Sequence, residues 1–203
     1  MFDSLNLLGP FNSGTNLVVK LLENQITCKF NGSTHYWKHG VNFVDVEEKI
    51  QEKKNTLFIV CYRPLYSWIK SVEKEQYNLI WDKQINSPVS LNGFKFNNII
   101  EMHESYYNIY KHFIDKYPNV IKVEYYKICD NTISYDYMAR KLKPFNILLP
   151  NKVFYDNILN MPSKNYGVSV NNSQEALKQK AQLDVICPEE FKKQNEITNY
   201  FEE

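Results

Sequence analysis

Leu5–Leu22 reads LNLLGPFNSGTNLVVKLL, in which an apolar run meets a loop bounded by Gly9 and Gly14 and gives way to a second apolar run. The two glycines stand in the G-x-x-x-x-G spacing of a phosphate-binding loop between a buried strand and a helix. Small residues let backbone approach an anion, and the first amides of a helix are unpaired and carry the positive end of its dipole. Ser13, Thr15 and Asn16 add side-chain donors at that point. The stretch predicts strand, anion-binding loop and helix, although an ordinary turn with a helix cap has the same composition. A nucleoside triphosphatase places Lys and then Ser or Thr after the second glycine, for the terminal phosphates and magnesium. Here Thr15 and Asn16 hold those positions. The expected ligand is therefore a nucleotide without a γ-phosphate, bound with no metal required.

Outward from the loop, short apolar runs alternate with helical patterns. Leu17–Glu23 continues as a helix, Thr27–Phe30 is a strand candidate, and Val44–Lys53 has the Glu and Lys spacing of a surface helix. Thr56–Cys61 (TLFIVC) is nearly continuous in apolar residues, as a parallel strand buried on both faces should be. Arg63 lies just past its C-terminal end, the edge at which open α/β sheets bind ligands. Pro64 suits a helix start, continued by Leu65–Glu75. Residues 76–94 read as a long polar connection, a lid or an insert. Phe94–Tyr117 carries apolar and aromatic residues at helical spacing, Asn119–Tyr125 alternates like a strand, and Thr132–Leu142 reads as a helix. Beyond residue 150 a loop over Met161–Val170 precedes helical stretches at Ser173–Leu183 and Pro188–Phe201. The pattern predicts one α/β domain over residues 1–203, with a central, mostly parallel sheet flanked by helices.

Composition sets the surroundings. A length of 203 residues with 43% hydrophobic content suits one core. A net charge of +1 gives no reason to expect nucleic acid or an anionic membrane surface as partner. The opening residues lack a signal-peptide pattern and no apolar run is long enough to span a bilayer, so a cytoplasmic, soluble protein is expected. Cys28, Cys61, Cys129 and Cys187 are scattered and form no CxxC pair, which predicts reduced thiols and neither zinc nor disulfides. Of 24 basic residues only Arg63 and Arg140 are arginine. That bias, with the richness in Asn, Ile and Tyr, reads as the AT-rich coding of a microbe or large virus. An arginine kept in such a chain is a candidate for bidentate phosphate recognition.

The loop Asn12-Ser13-Gly14-Thr15-Asn16 resembles the 5′-phosphosulfate loop of the sulfotransferases, which use 3′-phosphoadenosine-5′-phosphosulfate (PAPS) and commonly read P-K/R-S-G-T-T/N. Ser13, Gly14, Thr15 and Asn16 match. Phe11 stands at the family's Pro, and Asn12 at the Lys or Arg that helps bind the sulfuryl group. Arg63 and Ser71, eight apart, resemble the ends of the family's 3′-phosphate motif R-N-P-x-D-x-x-x-S, with Pro64, Leu65 and Ser67 in place of its Asn, Pro and Asp. The resemblance implies a P-loop nucleoside-triphosphatase-like fold and sulfuryl transfer from PAPS to a hydroxyl or amine of a small-molecule or carbohydrate acceptor, with PAP as product. It further implies His39 in His35-Tyr36-Trp37-Lys38-His39-Gly40 as general base, with His35 as the other candidate, and Lys38 as a cation on the sulfuryl group. An ordinary histidine pKa of about 6.5 suits that base. Tyr125, where the family often reads Y-E-D-L, would contact adenine, and Lys164 in Ser163–Gly167 would stand for a late R-K-G loop on the 3′-phosphate.

Each of these residues also has a plainer reading: Arg63 as a salt-bridged strand terminus, Ser71 as helix surface, His39 as structural, Tyr125 as core and Lys164 as solvated. Two other functions stay open on the sequence. A small nucleotide or metabolite kinase uses the same kind of loop but must do without its lysine. A catalytically inactive PAP- or nucleotide-binding protein would account for Asn12. The sequence specifies neither the acceptor nor the oligomeric state.

Overall fold

The computed structural model describes residues 2–23, 26, 29–30, 38–160 and 196–202. His35, Lys164 and the stretches expected at Met161–Val170 and Ser173–Leu183 lie outside them.

Three apolar runs pair side by side as β1 (Ser4–Leu8), β3 (Thr56–Tyr62) and β7 (Val120–Glu124). All are parallel, with Leu8 opposite Val60 and Tyr62 opposite Glu124, and the two-residue β2 (Lys29–Phe30) adds an edge. The order is β2-β1-β3-β7. Every residue of β1 and β3 is buried, because a parallel sheet is covered on both faces. Alternate residues sort the core into two halves. Leu8, Phe58, Val60 and Tyr62 face α2 (Phe43–Glu52), α3 (Leu65–Lys74) and α4 (Ile99–Lys116). Leu5, Leu7, Leu57, Ile59 and Cys61 face α1 (Thr15–Leu22), α6 (Ser134–Leu142) and α7 (Lys152–Asn160). This is a single-domain α/β architecture, a parallel sheet between two helical layers.

Local chemistry sets the element ends. Pro64 precedes α3, as its fixed φ allows at a helix start. In α4 the Asn98 side chain accepts from the Glu101 amide at 2.8 Å, capping a helix whose buried stripe runs Ile99, Met102, His103, Tyr106, Tyr107, Tyr110, Phe113. A short helix α5 (Tyr125–Cys129) follows β7 directly. At the C-terminus, residues 196–201 are helical. Phe201 there stacks on Tyr62 at 4.9 Å, and the Thr198 hydroxyl meets that of Tyr62 at 3.1 Å.

The connection expected over 76–94 is instead a second sheet. β4 (Leu79–Ile80), β5 (Val89–Leu91) and β6 (Phe94–Phe96) pair antiparallel, and Leu79, Trp81, Val89 and Leu91 are buried into the α4 side of the core. The hairpin between β5 and β6 turns on Asn92 (φ 50°) and Gly93 (φ 88°). This is the Asn-Gly chemistry that a tight two-residue turn demands. The expected polar connection overlooked that alternation in VSLNGFKF can make strands even when each is short.

Candidate functional site

Because β1, β3 and β7 are parallel, Leu8, Tyr62 and Glu124 end at one edge of the sheet. The chain leaves β1 for β2 on one side and returns as β3 on the other, so the crevice between β1 and β3 is the switch point at which such sheets bind ligands. Gly9–Gly14 leaves β1 at this point, and Arg63 follows β3.

The loop conformation depends on its glycines. A Cβ on Gly9 would lie 2.3 Å from the Ser13 hydroxyl oxygen and 3.2 Å from the Cys61 carbonyl. One on Gly14, whose φ is +97°, would lie 2.5 Å from Cδ2 of Tyr125. Asn12 also takes positive φ, 59°, a conformation that Asn tolerates better than most residues. Three loop carbonyls are held by distant side chains. His39 Nδ1 donates to Gly9 O at 2.6 Å, Trp68 Nε1 to Phe11 O at 2.5 Å and Arg63 Nη1 to Asn12 O at 2.7 Å. α1 begins at Thr15 with no side-chain cap, and its first internal bonds run from the Leu17 and Val18 amides to Gly14 O, at 3.0 and 3.1 Å. The amides before them are unclaimed by a side-chain cap. The Ser13 hydroxyl is buried and has no hydrogen-bond partner among the described residues.

Cations converge on the loop. Lys38 Nζ donates to the Asn16 side-chain oxygen. Burial lowers the Lys38 pKa, with Cys61 opposing that shift. Arg63 is 8% exposed, and its guanidinium lies 4.2 Å over the Tyr125 ring. Its Nε donates to Ser67 at 2.9 Å. The guanidinium is thus held within the protein by Ser67, one turn before Ser71. Pro64 starts α3 immediately after Arg63, so Ser71 lies about 6 Å further along the axis than Ser67, on the same face. Ser71 is half-buried there.

Tyr125, expected to contact adenine, lies at the site against Arg63. At 3% exposure, with Arg63 against its ring and Gly14 at its edge, it is a platform for the guanidinium. Asn12 lends no cation, and its side chain donates to Glu75 O at 3.0 Å. Thr15 is buried, with its methyl turned beneath Gly9.

His39 is 8% exposed and packs on Phe11 at 4.6 Å. Its pKa is pushed down to about 4 rather than staying near 6.5. Burial is the main cause; the Gly9 carbonyl opposes the shift and the Lys38 charge adds to it. His39 is therefore neutral at pH 7. A carbonyl only accepts, so the proton sits on Nδ1 and the lone pair on Nε2.

Sequence reasoning missed the layer beneath. The Tyr107 hydroxyl donates to Cys61 O at 2.9 Å and accepts from the Arg63 amide at 3.0 Å. His103 Nε2 meets Arg63 O at 3.0 Å, and the Tyr106 hydroxyl donates to His39 O at 2.8 Å. One aromatic stripe of α4 thus fixes the backbone of both candidate residues. The stripe was visible as helix periodicity, but its hydroxyl partners lie 40 or more positions away.

One sheet edge thus gathers a helix N-terminus without a side-chain cap, the Lys38 ammonium and an oriented guanidinium, the combination of donors and positive charge that suits an anion. Among the described residues no group of three or more His, Cys, Asp or Glu is placed to hold a metal, and no helix is long and apolar enough to cross a membrane. Compared with protein-family models, with curated proteins and with solved structures, the chain finds no match in any of the three.

Proposed function

We propose that the chain is a PAPS-dependent sulfotransferase of P-loop nucleoside-triphosphatase-like fold, acting on a hydroxyl or amine. The observation that supports this reading is the hydrogen bond from Arg63 to the Asn12 carbonyl at 2.7 Å, which holds Arg63 against the Gly9–Gly14 loop. The loop and the α1 N-terminus hold the 5′-phosphosulfate, and Arg63, oriented by Ser67 and Tyr125, holds the 3′-phosphate. The two glycines put no side chain into the loop and α1 begins without a side-chain cap, which suits a phosphate group.

Bound PAPS supplies a sulfuryl group on an anhydride with a good leaving group. His39 Nε2 accepts the acceptor's proton as the new bond to sulfur forms and the S–O bond to the 5′-phosphate breaks, so that PAP departs with the charge. Lys38, held beside the loop by Asn16, supplies the cation that Asn12 does not and stabilises charge on the transferring oxygens. A nucleotide kinase would need a lysine where Thr15 is buried.

The test is PAP release from PAPS over a panel of hydroxyl and amine acceptors. Wild-type protein should release PAP only with an acceptor present. His39→Gln should lower turnover by about 10²–10⁴-fold, the usual contribution of a general base, while PAP affinity stays within a few-fold. Full turnover by His39→Gln, or no release with any acceptor despite PAP binding, would sink the catalytic assignment.

A further inference from the structure

A cleft of about 500 Å³ opens beside the loop, within the size range of small-molecule sites. Its lining includes Leu8 and Gly40, each one residue from the Gly9–His39 pair that meets at 2.6 Å. The floor is apolar. Leu8, Val41 and Phe58 are buried beneath it, and Phe94, 44% exposed at the hairpin, overhangs it.

The polar rim is net acidic, with two carboxylates and one lysine. Asp45 and Glu48 stand one turn apart on α2, exposed and on the same face. Neither forms a hydrogen bond or ion pair with another described side chain. Lys49 also lines the cleft, but its ammonium lies 3.0 Å from Glu52 Oε2. A ligand in the cleft therefore meets an apolar floor, two carboxylates and a lysine already paired with Glu52, a net negative rim where Lys38 and Arg63 a few residues away offer positive charge.

We infer that this cleft binds an organic cation with an apolar, ring-sized body, and that such a molecule is the acceptor, its nucleophile a hydroxyl separate from the ammonium that Asp45 and Glu48 hold. The second half rests on the sulfuryl-transfer reading; the binding does not. The opposed charges keep the two ligands apart. A phosphate-rich donor is repelled by Asp45 and Glu48, and an ammonium compound is repelled by Arg63 and Lys38, so each has one place to go.

The experiment is calorimetric titration of the full chain with tryptamine, tryptophol and indole-3-acetate, which share one ring system and differ in the charge of the tail. PAP is titrated into the same samples. Tryptamine should bind up to about tenfold tighter than tryptophol, the most that two exposed ion pairs supply, and indole-3-acetate weakest of all. Asp45→Asn with Glu48→Gln, both exposed and safe for folding, should bring tryptamine and tryptophol within about threefold, and Phe94→Ala should weaken both. No tryptamine binding, equal affinity for all three tails, or a preference unchanged by the double substitution would overturn the cleft assignment. Tryptamine binding without PAP binding would instead retain the cleft and remove the sulfotransferase reading. PAP binding alone would do the reverse.

Discussion

The Gly9–Gly14 loop and the cleft under Phe94 meet at Leu8, yet they are built in different ways. The loop is held from several sides: His39, Trp68 and Arg63 take three of its carbonyls, and Tyr125 fills the space under Gly14. The cleft is walled by one face of α2 and the tip of a two-residue turn, and Phe94 at its edge remains 44% exposed. A phosphate group needs donors fixed before it arrives, since their reorganisation would subtract from binding. An apolar ligand needs mainly area and a charge of the right sign. Substitutions that affect one region and spare the other test whether that division is real.

The largest effect is expected at Gly14. Gly14→Ala meets both the Tyr125 ring and a φ of +97°, and should lower unfolding stability by about 3 kcal/mol in urea titration. A loss below about 0.5 kcal/mol would mean that the loop is not locked in this form.

Lowering the pH should produce a loss of nearly the same size through His39. Its folded pKa of about 4 lies below the unfolded value of 6.5. The unfolded chain therefore binds the extra proton first. The His39 contribution is complete above about pH 6.5 and is lost as the pH falls towards 4, by roughly 3 kcal/mol. Urea midpoints over that range should slope in the wild type and lose that part of the slope in His39→Gln. Turnover should likewise keep its acid limb near 4, and an acid limb near 6.5 would place the base elsewhere.

Tyr107→Phe removes a buried hydroxyl that serves two backbone groups, Cys61 O and the Arg63 amide. It should cost about 2 kcal/mol, seen as a lower thermal midpoint, and should weaken PAP binding while leaving tryptamine binding in place. The smallest effect belongs to the cleft. Asn92→Ala puts alanine at φ 50°, which should cost about 1 kcal/mol. It should loosen tryptamine and leave PAP unchanged.

How much of this was legible in the sequence differs between the same two regions. β1, its loop and α1 could be read from Gly9 and Gly14, because glycine spacing and the apolar runs on either side are local properties. β3 followed from a continuous apolar run and α4 from a helical stripe, but the helix expected from Phe94 begins only at Ile99, after β6 (Phe94–Phe96). The hairpin was missed although Asn92-Gly93 lay between alternating residues, because strands of three residues carry little periodicity. The contacts of Arg63 with Ser67 and the Tyr125 ring depend on where α3 and α5 begin relative to Arg63. The depressed pKa of His39 is a matter of burial. Neither is set by spacing along the chain, so neither could have been read from it.

The reading of the loop is tested most directly by calorimetric titration of PAP, beside magnesium-ATP and AMP, into wild-type protein and Arg63→Ala. Micromolar or tighter PAP binding without magnesium, weakened about 100-fold by Arg63→Ala, is the expected result for a phosphate held by an oriented guanidinium. No heat with PAP, a preference for magnesium-ATP, or equal affinity in the two proteins would contradict it.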